Sequence, residues 1–150
     1  MILPAASSLK NRIDDILEDD SDAQIIILGD FNDYPDNKSI TEVLEAKPNN
    51  SSKNGELVNL AYAPHMKDEG TYPYKGDWGM LDQAIISDNL MDGSGLDISE
   101  EGLEIFWREF FLFYDRKYKE FKPNRTYGGP KYYGGYSDHL PILLHLKTNS

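Results

Sequence analysis

Apolar positions along the chain follow two spacings, helical near the start and strand-like afterwards. Leu9, Ile13, Ile16 and Leu17 fall on one side of a helical wheel, which predicts a helix over residues 5–18. A polar connection, Asp19-Asp20-Ser21-Asp22, leads into Ile25-Ile26-Ile27-Leu28. This run of apolar, mostly β-branched residues predicts a short strand over residues 24–28, buried on both faces. A helix, a short loop and a buried strand together describe a helix packed on a sheet. Turn residues mark 33–38 as a loop. Ser39-Ile40-Thr41-Glu42 has the spacing of a capping box and predicts a helix to about residue 46, with Ile40, Val43 and Leu44 inward.

Further on, residues 47–56 are polar and rich in Asn and Ser, and 57–61 read as a short strand or turn. Large residues alternating between turn residues over 70–76 predict an edge strand. Residues 80–87 give a clear strand with Ala84, Ile85 and Ile86 as core material. Residues 88–102 are acidic and contain Gly, a long loop by composition. Residues 103–114 are apolar and aromatic with ambiguous period, strand in part. Residues 115–135, dominated by Lys, Tyr and Gly, read as loop, and 140–146 as a closing buried strand. No internal repeat or linker interrupts the pattern, so the 150 residues form one domain with one core of ordinary size.

Composition narrows the function classes. An apolar fraction of 39% excludes a wholly disordered chain. The net charge of −11 argues against a basic surface gripping duplex nucleic acid by its phosphates. It leaves open an enzyme that meets phosphate through a cation held by carboxylates. With no cysteine, disulfides, thiolate zinc sites and Cys nucleophiles are excluded, and the compartment stays open. No apolar run approaches a membrane span, and no signal peptide is visible.

The candidate chemistry sits at strand ends. Strand alternation puts Asp30 and Asn32 on one face and Phe31 on the other. A carboxylate leaving a core strand costs several kcal/mol to desolvate unless a cation or donors meet it. An Asp-Asn turn accounts for the pair in the simplest way, and a metal or catalytic carboxylate with its partner is the sharper alternative. Asp138 and His139 precede the last strand, and Asp82 opens the strand of residues 80–87. Gathered on one rim, three carboxylates, an amide and an imidazole need a cation or a protonated His to offset repulsion. Oxygen donors without Cys suit Mg²⁺, Mn²⁺ or Ca²⁺. The stretch from Asp30 is not an EF-hand loop, because Pro35 and Thr41 stand where that loop needs Gly and Glu.

Three ordered blocks now carry a resemblance. Gly29-Asp30-Phe31-Asn32-Asp33, Met80-Leu81-Asp82-Gln83-Ala84-Ile85-Ile86-Ser87 and Gly135-Tyr136-Ser137-Asp138-His139-Leu140-Pro141 resemble those of the endonuclease/exonuclease/phosphatase superfamily. The resemblance implies an α/β (α+β) chain of the DNase I-like four-layer α/β/β/α sandwich, here its C-terminal half, with residues 1–150 an N-terminally truncated domain. It also implies a metal-dependent phosphoester hydrolase, phosphodiesterase or nuclease-like. Asp30 resembles the carboxylate that orients the attacking water and touches the metal. Asn32 resembles the amide holding a phosphate oxygen at the metal site. Asp138 resembles a metal-site carboxylate, and His139 the imidazole at the scissile phosphate. Asp82 resembles the partner that fixes the His139 tautomer, and Thr71 a threonine near the phosphate. The substrate implied is a phosphoester of nucleic acid, lipid phosphate or small-phosphodiester type.

The family's N-terminal Asn, metal-binding Glu and second His have no counterpart here. The alternative expectation is therefore a catalytically incomplete remnant that binds or self-associates through an exposed apolar sheet face. Tyr127, Tyr132, Tyr133 and Tyr136 among glycines suit stacking on bases or sugars, or else pin a loop. Arg125 and Lys131 beside them are candidate phosphate contacts. His65 reads as a loop residue, and the acidic run 97–104 as a solvated face.

Overall fold

The computed structural model describes residues 3–49 and 55–149. It is a mixed α+β structure with many strands and few helices, consistent with the DNase I-like fold. Helix α1 (Leu3–Asp19) turns Ala6 and Ile13 onto the sheet and leaves its charged positions in solvent. Strand β1 (Ile26–Asp30) follows. Residues Ser39–Val43 form one wide turn in which the Leu44 N–H reaches back to the Ser39 carbonyl. The short strands β2 (Lys47–Pro48) and β3 (Leu57–Asn59) precede a single helical turn, α2 (Tyr62–His65).

Strands β4 (Tyr72–Tyr74) and β5 (Asp77–Gly79) form a hairpin that leads into β6 (Asp82–Ser87). Then come β7 (Leu96–Ile105), β8 (Leu112–Asp115), β9 (Glu120–Pro123), β10 (Tyr127–Gly128), β11 (Lys131–Tyr132) and β12 (Ile142–Thr148). The central sheet has the order β1-β6-β3-β2, with β6 antiparallel to both of its neighbours. Strand β12 pairs antiparallel with β7, and β8–β9 and β10–β11 are separate hairpins.

Strand period two sorts β6 between two clusters. Ile85 joins Ala6, Ile13, Phe31, Ile40 and Leu44 beneath α1. Ile86 joins Val58 and Leu90 on the opposite face, against Leu96 and Ile98 of β7 and Leu144 of β12. The layers are therefore helix, four-stranded sheet and the β7–β12 pair. Ile26, Leu28 and Asp30 of β1 lie opposite Ile86, Ala84 and Asp82 of β6, all on the β7–β12 side.

Several sequence expectations need correction. The strand of residues 24–28 is not buried on both faces: Ile26 and Leu28 are 39% and 52% exposed, because the second layer covers Ile86 but not β1. Likewise β12 leaves Leu143 and Leu146 exposed. No capping box forms at Ser39. Lys38 holds the cap position without a side-chain bond, and the Ser39 hydroxyl donates to Asp33 instead.

The expected loop of residues 88–102 contains most of β7, whose backbone finds its partner in β12. Pairing there overrides the low strand propensity of acidic residues. Asp97, expected in solvent, is 4% exposed and accepts a bond from the Asn149 amide at 2.8 Å. The expected loop of residues 115–135 holds three short strands. Residues 50–54 of the polar loop lie outside the described residues.

The layering predicts unequal costs on the two faces of the sheet. Ile85→Ala should lower unfolding free energy by about 2–5 kcal/mol in urea denaturation. Leu28→Ala, on the uncovered face, should cost less than about 1 kcal/mol. Similar losses at the two positions would contradict the assigned layers.

Candidate functional site

The β1–β6 register places Asp30, the last residue of β1, directly across from Asp82, the first residue of β6. Like charges at facing positions repel, so the pair needs a counter-charge. His139 supplies it. Its Nδ1–H donates to the Asp82 carboxylate at 2.7 Å. That bond holds the His139 pKa above its ordinary value of 6.5, against the opposing effect of burial and with further help from the charges of Asp82, Asp30 and Asp138. The imidazole packs on Tyr72 at 4.7 Å between ring centres. With Nδ1 committed to Asp82, Nε2 is the nitrogen available to a ligand.

Each group is braced from behind. Asp30 accepts bonds from the Asn32 N–H at 2.8 Å and from the Asn32 side-chain amide at 3.1 Å. Asn32 adopts a left-handed backbone with φ +48°, which Asn tolerates better than most residues. The next residue is fixed by a buried amide chain. The Gln83 amide donates to the Asp33 carbonyl at 2.7 Å, and the Asn59 amide donates to Gln83 Oε1 at 2.8 Å. The Asp33 carboxylate in turn accepts bonds from the Asn37 amide and the Ser39 hydroxyl. On the other side, the Asp82 N–H donates to Thr71 Oγ1 at 3.2 Å, and the Leu140 N–H donates to the Thr71 carbonyl at 2.8 Å.

Of the residues marked by sequence, Asp30, Asn32, Asp82 and His139 come together. Thr71 lies fully buried beneath Asp82. Asp138 stands beside His139 with its carboxylate 3.8 Å from Arg125, both half exposed. Sequence reasoning passed over Gln83, Asn59 and Tyr72. The first two had a readable signal, since an amide inside a core strand demands hydrogen-bond partners. His65 pairs with Asp36 at 3.3 Å and stacks on Tyr34, and is not part of this group.

Comparison with known proteins bears on what such a group does. A profile of the Endonuclease/Exonuclease/phosphatase family matches residues 2–148. The chain belongs to this family. No curated protein and no solved structure gives a match. The endonuclease/exonuclease/phosphatase family is one of phosphoesterase-type hydrolases, whose members typically use a divalent metal.

The donor set fits such an ion. Asp30, Asp82 and His139 each offer a ligand atom within 4.8 Å of the others. Two carboxylates among them suit a hard cation that keeps part of its water shell. Among the described residues no helix is long and apolar enough to cross a membrane.

The raised His139 pKa has a definite sign. The charged imidazole stabilises the fold at pH values below the unfolded-state pKa, and this contribution is lost as pH rises through the higher folded-state value. In metal-free protein, the His139 NMR titration midpoint should lie above 6.5, and Asp82→Asn should lower it. A midpoint that Asp82→Asn leaves unmoved would contradict the assigned bond.

Proposed function

We propose that the chain hydrolyses phosphodiesters at the Asp30–Asn32–Asp82–His139 group. The observation that carries this reading is the β1–β6 register, which sets Asp30 against Asp82 with His139 bonded to the latter, in a chain of a phosphoesterase family. Asp30 orients the attacking water and accepts its proton. Asn32, whose amide already touches Asp30, offers the remaining donor to a phosphate oxygen. His139 directs Nε2 at the phosphate and offsets charge as it builds in the transition state. Asp82 keeps the Nδ1–H of His139 in place and so fixes which nitrogen faces substrate.

Asp30 and Asp82 would hold Mg²⁺, or Mn²⁺ or Ca²⁺ in its place, with Asn32 beside Asp30; Asp138, expected as a ligand, faces Arg125 instead and is not in the converging group. Such a cation supplies charge that neutralises the phosphate. Thr71 acts from behind Asp82 rather than on substrate, because it is buried and bonded there. Arg125 meets the substrate beside Asp138 at the rim.

Hydrolysis of bis(p-nitrophenyl) phosphate tests the reading. Turnover should require Mg²⁺ and vanish with EDTA or Asp30→Ala. His139→Ala should cost about 10²–10⁴-fold in kcat, and Asp82→Asn about 10–100-fold. Turnover indifferent to Asp30→Ala would refute it.

One observation favours a second reading, an association module. Ile26 and Leu28 of β1 and Leu143 and Leu146 of β12 are exposed apolar residues on strands. On this reading the chain should self-associate at tens of micromolar in sedimentation velocity, as exposed apolar patches do. The double variant Ile26→Thr/Leu28→Thr should then shift it toward monomer. A wild-type chain that sediments as a monomer throughout would exclude the module.

A further inference from the structure

Beside the His139 group lies a cavity of about 430 Å³, within the size range of small-molecule sites. Two of its lining residues tie it to the site. Asp138 is the chain neighbour of His139, and Pro73 follows the Tyr72 ring that packs on His139. Much of the cavity wall comes from residues 115–135, which the sequence offered only as loop. Phe113 comes from β8, and Asn124 and Arg125 follow β9. Tyr133 follows β11, its ring so close to Gly128 that a Cβ there would sit 2.7 Å away. The segment carrying Asp138 is held against this wall. The Gly135 N–H donates to the Arg125 carbonyl, and a Cβ on Gly135 would sit 1.8 Å from the Asn124 carbonyl oxygen.

The lining has flat apolar faces, a polar edge and no surplus charge. Pro73, Phe113 and Tyr133 supply the faces, and the Asn124 amide and Arg125 guanidinium supply the edge. Each cation is matched: Arg125 lies 3.8 Å from Asp138, and Lys122 lies 3.5 Å from Asp115 and 3.2 Å from Glu120. A charge-balanced cavity disfavours a second phosphate. Its limited volume and mixed polarity disfavour acyl chains, which need an extended apolar channel. A nucleobase has the complementary form, with stacking faces and a hydrogen-bonding rim.

We propose that this cavity is a nucleobase subsite, so that the phosphodiesters cleaved at His139 are nucleotide esters. The inference rests on the hydrolase reading only for the fate of the phosphate. The base contact itself can be read by binding. Half-exposed Tyr133 is the stacking residue, Asn124 and Arg125 read the base edge, and Asp138 separates the base from the reacting phosphate.

The test is titration of adenosine 5′-monophosphate and glycerol 3-phosphate into the intact chain with Mg²⁺, followed by NMR. Alongside it, kcat/KM is measured for a dinucleotide and for glycerophosphocholine. The nucleotide should bind at least about tenfold more tightly than glycerol 3-phosphate, with shifts at Tyr133 and Asn124. Tyr133→Ala should weaken nucleotide binding by about 5- to 150-fold, while Tyr133→Phe, which keeps the ring, should hold it.

Equal affinities for the two ligands, or nucleotide binding indifferent to Tyr133→Ala in a protein with unchanged circular dichroism, would overturn the subsite. Asp30-dependent hydrolysis without preference for the dinucleotide would overturn it too, and would leave the hydrolase reading intact. Tyr133-dependent nucleotide binding without any turnover would uphold the subsite and count against the hydrolase reading alone.

Discussion

Two carboxylates face each other across neighbouring strands, and the rest of the site answers to that fact. Asp30 and Asp82 are register partners at the rim of the central sheet. A register slip of one residue would separate them and turn every apolar residue of β1 to the wrong face. The register is pinned on the helix side, where Ile27 lies against Ile85 in the core beneath α1. The packing that makes a core beneath α1 is therefore also what creates a cluster of negative charge at one end of the sheet.

That charge is offset by an element from the far end of the chain. His139 enters just before β12, and its Nδ1–H meets Asp82. The imidazole's bias toward the protonated state is a consequence of where two strands deliver their acids. The buried Gln83–Asn59 pair fixes the loop after β1, and Thr71 fixes the backbone of Asp82. A chain of buried, satisfied amides holds its geometry, since any member displaced leaves a desolvated partner at about 1–3 kcal/mol. Rigid supports of this kind keep Asp30 and His139 set before a ligand arrives.

Much of this was legible in the sequence where local pattern and tertiary role agree. The α1 periodicity, the apolar run before Asp30 and the strand after Asp82 each carry their own signal. The polar residues at those strand ends stood out because they interrupt core segments. Where the pattern misled, long-range pairing decided the outcome. Asp97 read as solvated loop, yet it lies buried in β7 because Lys147 of β12 pairs with it. Ser39 had the spacing of a cap, but Asp33 claimed its hydroxyl. The apolar run of β1 implied two covered faces, and only the α1 side is covered. The short strands within residues 120–132 were hidden among Tyr, Lys and Gly, which serve turns and short strands alike.

Asp30, Asp82 and His139 are placed to receive one divalent cation together. Mn²⁺ titration watched at the His139 imidazole signals tests it most directly, because a paramagnetic ion broadens only nearby nuclei. Substoichiometric Mn²⁺ should bleach His139 ahead of His65 and His145, and Asp30→Asn should abolish this selectivity. Uniform broadening of all three histidines, or bleaching of His139 unchanged in Asp30→Asn, would contradict it.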